Sequence, residues 1–273
     1  TIDTQFLVED YPHENQKVKA TEFGLYAGGP ATNAAITFAH LGGESHLLSS
    51  FGTHPLTQLV YSELHKYGVA TTDFTPNRNC HPIFASVITS KANGHRAVVS
   101  YSPINHDYCQ QTIGLIDAGQ VDIILTDGFY LDVALSVLQN KDKNIPVVLD
   151  GGSWKQNLEK LLPFVDIAIC SDDFFPPKTT NKQEVISFLQ QFGITQIVIT
   201  QGNKPLIVVN DKAAYELEVP QIDACDTLGA GDIFHGAFCF YLSSGSNFNT
   251  ALKQAAQVAA NSCKHFGTRE WML

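Results

Sequence analysis

The stretch Asp226-Thr227-Leu228-Gly229-Ala230-Gly231-Asp232, running on into Ile233-Phe234-His235-Gly236-Ala237-Phe238, decides how the rest of the chain is read. It is a loop of small residues that feeds a helix. Gly229, Ala230 and Gly231 put no bulk between the backbone and an approaching group. Their N–H groups can therefore converge on an anion at the positive end of the helix. Asp232 falls in the first turn, where the dipole favours a negative charge, and an ionised acid there suits a helix start or a general base. Standing alone, such a stretch more often means only a capped helix entered through a glycine turn. The choice turns on what surrounds it.

A chain of 273 residues, 44% of them apolar, has the length for one large domain, or one domain with a small appendage, around a sizeable core. The formal net charge is −10 with only 17 basic residues, and no dense Lys/Arg cluster interrupts it. That balance argues against nucleic acid and anionic membrane as partners, while leaving room for a small substrate held by a few local donors. The cysteines (Cys80, Cys109, Cys170, Cys225, Cys239 and Cys263) are scattered without a CxxC pair, mostly in apolar runs. Free thiols in a reducing compartment are the expectation. No apolar run approaches the roughly 18 residues of a membrane span, and no signal peptide is visible, so a cytoplasmic protein is expected. Thr1-Ile2-Asp3-Thr4 reads like the end of a strand, which leads us to expect residues before Thr1.

Going outward from the key loop, Gly28-Gly29-Pro30-Ala31-Thr32-Asn33 opens an apolar segment, Ala34 to Leu41, that reads as a slim helix stopped by Gly42-Gly43. A helix so slim can pack closely on a sheet. Asn33 at its start either caps it or offers its amide to a ligand hydroxyl. Ser45 to Phe51 reads as a strand, and Leu56, Leu59, Val60 and Leu64 mark an amphipathic helix closed by Gly68. Residues 83–89 and 97–101, joined through Asn93-Gly94, form a β-hairpin that interrupts an alternating α/β pattern. Arg96 on that hairpin is either a solvated edge charge or a substrate contact.

From about residue 121 strands and helices alternate. Strands are expected at 122–126, 147–150, 167–170 and 196–200, with helices at 132–139 and 183–192. Short apolar strands in that order argue a parallel sheet covered on both faces. The tips Thr126-Asp127-Gly128, Asp150-Gly151-Gly152 and Thr200-Gln201-Gly202 lie at carboxyl ends, where open α/β sheets bind ligands. A second hairpin joins 206–209 to 213–217 through Asn210-Asp211. Ile233–Leu242 is apolar enough for a buried helix, and a last helix is expected from about Thr250 to Phe266.

Gly28-Gly29-Pro30-Ala31-Thr32-Asn33-Ala34-Ala35 near the front and Asp226 to Asp232 near the back together resemble the two signature regions of the ribokinase family, the PfkB-type carbohydrate kinases. The resemblance covers essentially the whole chain. It implies a ribokinase-like α/β fold: one domain, 1–273, with a doubly wound, mostly parallel sheet and helices on both faces. A small β-sheet lid would come from parts of about 4–27 and 80–103. It implies ATP-dependent phosphorylation of a hydroxymethyl group. Asp232 then matches the catalytic base, and Gly229, Ala230 and Gly231 match the anion hole. Asp3, Gly28, Gly29 and Asn33 fall where the family binds substrate hydroxyls, with Arg96 as a further substrate candidate. Thr200, Gly202, Thr227, Ala259, Asn261 and Cys263 fall on the nucleotide side. Asp226 and Leu228 lie where many members bind a monovalent cation such as K⁺, partly through main-chain carbonyls. Mg²⁺ would arrive with the nucleotide. Lids in this family often pair two chains, which makes a homodimer an expectation.

The chain departs from the pattern in two places. An Asn-x-x-Glu motif that organises Mg²⁺ through water is replaced by Ser171-Asp172-Asp173-Phe174, leaving Asp172 or Asp173 as substitutes or as surface acids. The strand tip after Thr200 continues to Pro205 where a second Gly is usual. Gly94, Arg96, the replaced motif and Gln257-Val258-Ala259-Ala260 look more like the ketohexokinase-like branch, which phosphorylates a ketose. Lys155 either touches phosphate or is solvated. Two rival readings are a nucleoside kinase of the same fold and a non-catalytic sugar- or nucleotide-binding regulator. A dinucleotide-dependent dehydrogenase would need GxGxxG after the first strand, which Gly28-Gly29-Pro30 does not supply.

Overall fold

A computed structural model of the protein describes residues 1–92, 94–102, 120–210 and 213–273. Cys109 and the turn residues Asn93 and Asp211 of the two expected hairpins lie outside them. The chain forms two compact units, one of Thr1–Thr112, Ile222–Ala237 and Val258–Leu273, the other of Ile113–Gln221 and Phe238–Gln257.

In the first unit, β1 (Ile2–Val8) pairs antiparallel with β2 (Glu22–Ala27) and parallel with β5 (Phe84–Ser90), which pairs antiparallel with β6 (Arg96–Tyr101). The order is β2-β1-β5-β6. The interrupting hairpin thus belongs to its own small sheet, as its break in the pattern implied. Because successive side chains alternate, Asp3, Gln5 and the row Leu7–Thr89–Arg96 share one face, while Leu25–Thr4–Ser86–Val99 lies on the other. Helix α1 (Pro30–His40) starts on a proline at its first position and ends where Gly42 takes a φ of 106°. Strands β3 (His46–Ser49) and β4 (Ala70–Asp73) make a parallel pair, with α2 (Thr57–Lys66) between them in sequence. Ile2, Ala27, Ile36, Leu47, Phe51, Val60 and Leu64 form a buried core. The sequence showed neither β2 nor β4: Gly24 breaks the apolar pattern of one, and Ala70–Asp73 is mostly polar.

The second unit carries a six-stranded sheet built from β7 (Ile124–Thr126), β8 (Val147–Gly151), β9 (Ile167–Ser171), β10 (Gln196–Gln201), β11 (Lys204–Val209) and β12 (Ala214–Leu217), in the order β12-β11-β10-β9-β8-β7. Strands β7 to β10 are mutually parallel, so their carboxyl tips line one edge. Strand β8 is buried throughout, the mark of a sheet covered on both faces. Leu138 of α3 (Leu131–Asn140) and Val185, Ile186 and Leu189 of α4 (Lys182–Gln190) pack in its core. Asn181 caps α4 by accepting from the Glu184 N–H at 3.0 Å, and Glu184 returns a bond from the Thr180 N–H. The irregular pairing between Ile199 and Gln201 accommodates Pro205 just inside β11.

Helices α5 (Ala230–Ser243) and α6 (Phe248–Ser262) follow the key loop. The last helix ends four residues earlier than its apolar pattern implied. The Cys263 carbonyl instead accepts from the N–H groups of Cys225 at 2.8 Å and Asp226 at 3.2 Å. No helix among the described residues is long and apolar enough to cross a membrane. All the described cysteines are free thiols; Cys170, Cys239 and Cys263 are buried and Cys225 is exposed.

Candidate functional site

The site in the first unit is built where the slim helix α1 and α5 cross. A Cβ on Gly236 would stand 2.3 Å from the Ala34 carbonyl oxygen, so only a glycine lets α5 lie this close to α1. Asp232 precedes Gly236 by one turn and shares its face, and Asn33 adjoins Ala34. The crossing therefore brings the two side chains together: Asn33 Nδ2 donates to Asp232 Oδ2 at 2.7 Å. Capping by Asn33 does not occur. Gly29 is the N-cap residue of α1, without a side-chain cap, and Asn33 lies inside the helix, 3% exposed. The slim helix packs here on another helix, not only on a sheet.

Above this pair the loop leaves room. Gly229 has a φ of 70°, and a Cβ there would meet Thr268 Cγ2 at 2.9 Å and Asn33 Nδ2 at 3.3 Å. Gly231 has nothing within 4 Å of where its Cβ would be. The Ala230 N–H bonds the Thr227 carbonyl at 3.3 Å, closing the turn into α5. Asp226 anchors the loop from below. Its Oδ2 accepts from Gln5 Nε2 at 2.5 Å and from the Gly267 N–H at 2.9 Å, and its Oδ1 from the Leu228 N–H at 3.0 Å. Next to it, Arg96 Nη1 donates to Thr227 Oγ1 at 2.6 Å. The four-stranded sheet is thus tied to the loop at two successive residues, through β1 and through β6.

Asp3 lies over the Gly28-Gly29 turn. A Cβ on Gly28 would fall 1.9 Å from Asp3 Oδ2, so the carboxylate occupies the space that the glycine leaves. Asp3 Oδ1 is buried and has no hydrogen-bond partner. Burial pushes its pKa up to about 6, against the pull of the Arg269 guanidinium. An acceptor buried without a donor is what a hydroxyl ligand would complete.

Behind Asn33 lies a group that sequence reasoning missed. Arg269 Nη1 donates to Asn33 Oδ1 at 2.9 Å, its Nη2 to the Ala27 carbonyl at 2.6 Å, and its Nε to Glu63 Oε1 at 2.8 Å. Glu63 Oε2 in turn accepts from the Ala27 N–H at 2.5 Å. In sequence, Glu63 reads as the solvated face of an amphipathic helix and Arg269 as a charge near the end. Neither carries a local signal.

The nucleotide-side candidates divide between the units. In the second, Thr200 Oγ1 donates weakly to the Cys170 carbonyl at 3.4 Å, and Gly202 makes the β10–β11 turn with a φ of 64°. In the first are Thr227 and the helix-end residues Ala259, Asn261 and Cys263, the last engaged through its carbonyl with the key loop. Asp172 pairs with Lys182 at 2.5 Å, while Asp173 is exposed beside Ser171, whose Oγ accepts its N–H. Lys155 Nζ stands 4.4 Å from the centre of the Phe129 ring and donates to the Ser153 carbonyl. Among the described residues, no three His, Cys, Asp or Glu side chains cluster as a metal site.

The profile of the pfkB family carbohydrate kinases matches residues 1–272. A deoxyribokinase of Salmonella typhi is 22% identical, over 98% of this chain and 91% of its own. A ketohexokinase of Mus musculus is 19% identical over 96% and 93%. Among solved structures, a putative ribokinase from Agrobacterium tumefaciens superimposes with a TM-score of 0.82 at 24% identity, over 99% of this chain and 90% of that one. The ribokinase of Arabidopsis thaliana complexed with ribose and ATP gives 0.68 at 20%, over 97% and 90%. The fold is ribokinase-like.

Proposed function

The chain belongs to the pfkB family of carbohydrate kinases, and from that membership we propose that it moves the γ-phosphoryl group of ATP to a hydroxymethyl group of a small sugar. It is an ATP-dependent phosphotransferase; the acceptor and the residue roles are the reading offered here. The observation that carries it is the Asn33–Asp232 pair at 2.7 Å beside the open ground over Gly231. Asp232 takes the proton of the sugar hydroxyl as it attacks. The backbone of Gly229, Ala230 and Gly231 holds the charge of the transferring group at the start of α5. Phosphoryl transfer needs this in-line positioning and charge stabilisation more than covalent help.

Asp3, Gly28, Gly29 and Asn33 hold the sugar hydroxyls, and the unpartnered Asp3 Oδ1 supports this. Arg96, engaged with Thr227, serves the sugar side by fixing the loop. Thr227, Ala259, Asn261 and Cys263 in the first unit, and Thr200 and Gly202 in the second, are the candidates for contacts to the nucleotide. Mg²⁺ carried on the nucleotide would neutralise phosphate charge, and Asp173 is the acid left for its waters, since Asp172 is paired. A monovalent cation near Asp226 and Leu228 would use main-chain carbonyls, because the Asp226 carboxylate already accepts three N–H donors. The sheet β2-β1-β5-β6 acts as the lid and pairs two copies of the chain. The free thiols support a reducing, cytoplasmic setting. A ketose is the preferred acceptor.

The test is ADP release from MgATP across ketoses, aldoses, sugar acids and nucleosides, with Asp232→Asn alongside. One strong sugar responder that fails in the variant supports the reading. A nucleoside as the best acceptor, or silence from a folded protein that binds ATP, overturns it.

A further inference from the structure

Arg269 is 4% exposed, and its guanidinium serves four oxygens: Glu63 Oε1, Asn33 Oδ1, and the carbonyls of Ala27 and Thr268. A guanidinium has donors only, so the amide atom that meets it must be the oxygen of Asn33. The Asn33 nitrogen then has to face the other way, toward Asp232. We infer that Arg269 is a positioning residue that locks the Asn33 amide so that its N–H addresses the Asp232 carboxylate. The inference rests on the reading of Asp232 as the base.

Without Arg269 nothing on that side distinguishes the two ends of the amide. With only the acceptor carboxylate of Asp232 left to hold it, the Asn33 side chain loses its second anchor and swings off that bond. The same guanidinium fixes the Ala27 carbonyl, one residue before the Gly28-Gly29 turn that seats Asp3. Glu63 completes the arrangement by neutralising Arg269 and accepting the Ala27 N–H. One buried cation therefore sets the base from one side and the hydroxyl-binding turn from the other. A merely structural ion pair, tying the chain end to α2, would share the burial but would not act on the amide.

The two are separated by the side-chain amide signal of Asn33 in ¹⁵N-labelled protein, assigned by its loss in Asn33→Ser. The wild type should show one Nδ2 proton displaced well downfield by the carboxylate, and Asp232→Ala should return it to the position of a free amide. The double variant Arg269→Met/Glu63→Gln, which removes both members of the ion pair, should do the same while remaining folded by circular dichroism. With the best acceptor of the panel, its kcat should fall roughly 10- to 100-fold at an unchanged KM for ATP. Arg269→Lys should recover part of both. A wild-type amide signal and kcat in the folded double variant would overturn the inference, even where Asp232→Asn abolishes turnover. Normal turnover in Asp232→Asn would instead remove the base reading itself.

Discussion

Asn33, inside one helix, donates its amide to Asp232, in the first turn of another, at 2.7 Å, although 199 residues separate them. A base needs its carboxylate held ionised and aimed, and an amide N–H supplies both without adding charge. Asp232→Asn keeps the shape and removes the proton acceptor. The expected outcome is a loss of roughly two to four orders of magnitude in kcat. Sugar binding, followed by calorimetry, should largely survive. Turnover near the wild-type value would take the role from Asp232.

The glycines of the two signature stretches should respond in opposite ways to one added methyl group. In Gly28→Ala the methyl collides with the Asp3 carboxylate, so both the melting temperature and sugar affinity should drop. In Gly231→Ala it meets no atom of the protein, and the fold should be kept. If the space over Gly231 belongs to the transferring phosphoryl group, kcat should collapse there at an unchanged melting temperature. Paired melting curves and turnover for the two variants check this. Full activity in Gly231→Ala would show that the space is idle.

Asp3 gives the pH dependence. Its carboxyl is raised to about 6, chiefly by burial, from an ordinary value near 3.8. A group whose folded pKa is raised contributes stability fully below its unfolded value and loses it as pH rises through the folded one. Asp3 therefore favours folding most in acid and loses that contribution between about pH 4 and 6. Asp3→Asn should flatten this part of the stability curve in urea titrations. The sugar should follow the opposite course, because only the ionised carboxylate accepts two hydroxyls without competition from its own proton. KM for the sugar should climb as pH falls below about 6, and the climb should vanish in Asp3→Asn. A KM flat across that range in the wild type would remove Asp3 from the sugar site.

The parallel strands and the helices between them were legible because their apolar runs are short and bounded by Gly and polar tips. The hairpin at residues 84–101 was legible because it breaks that alternation. Strands β2 and β4 were not, since Gly24 and the polar run Ala70–Asp73 hide the pattern. At the site, Asp232 and the glycines stood out because loop and helix start are adjacent in sequence. The meeting of Asn33 with Asp232 depends on a helix crossing that only Gly236 against Ala34 permits. Local reading therefore took Asn33 as a possible cap. Glu63 and Arg269 were hidden for the same reason: an ion pair 206 residues apart leaves no periodicity to read.

The outer face of the small sheet makes the last prediction. Phe23 and Leu25 of β2 and Val99 of β6 are 58%, 44% and 75% exposed. By register Leu25 and Val99 lie in one row across the sheet, and Phe23 sits in the row beside it, against Phe6. Apolar surface gathered on one sheet face is a common sign of an interface, where scattered exposed residues are not. The opposite face carries Asp3, Gln5 and Arg96 toward the key loop, so the outer face is the one free to receive a second copy. Sedimentation should give a dimer at micromolar concentration. Val99→Lys places a charge on that face at its β6 edge, where Val99 is most exposed, and should shift the species to monomer, leaving the melting curve of each unit intact. A wild-type protein that sediments as a monomer throughout that range would rule out pairing through this face.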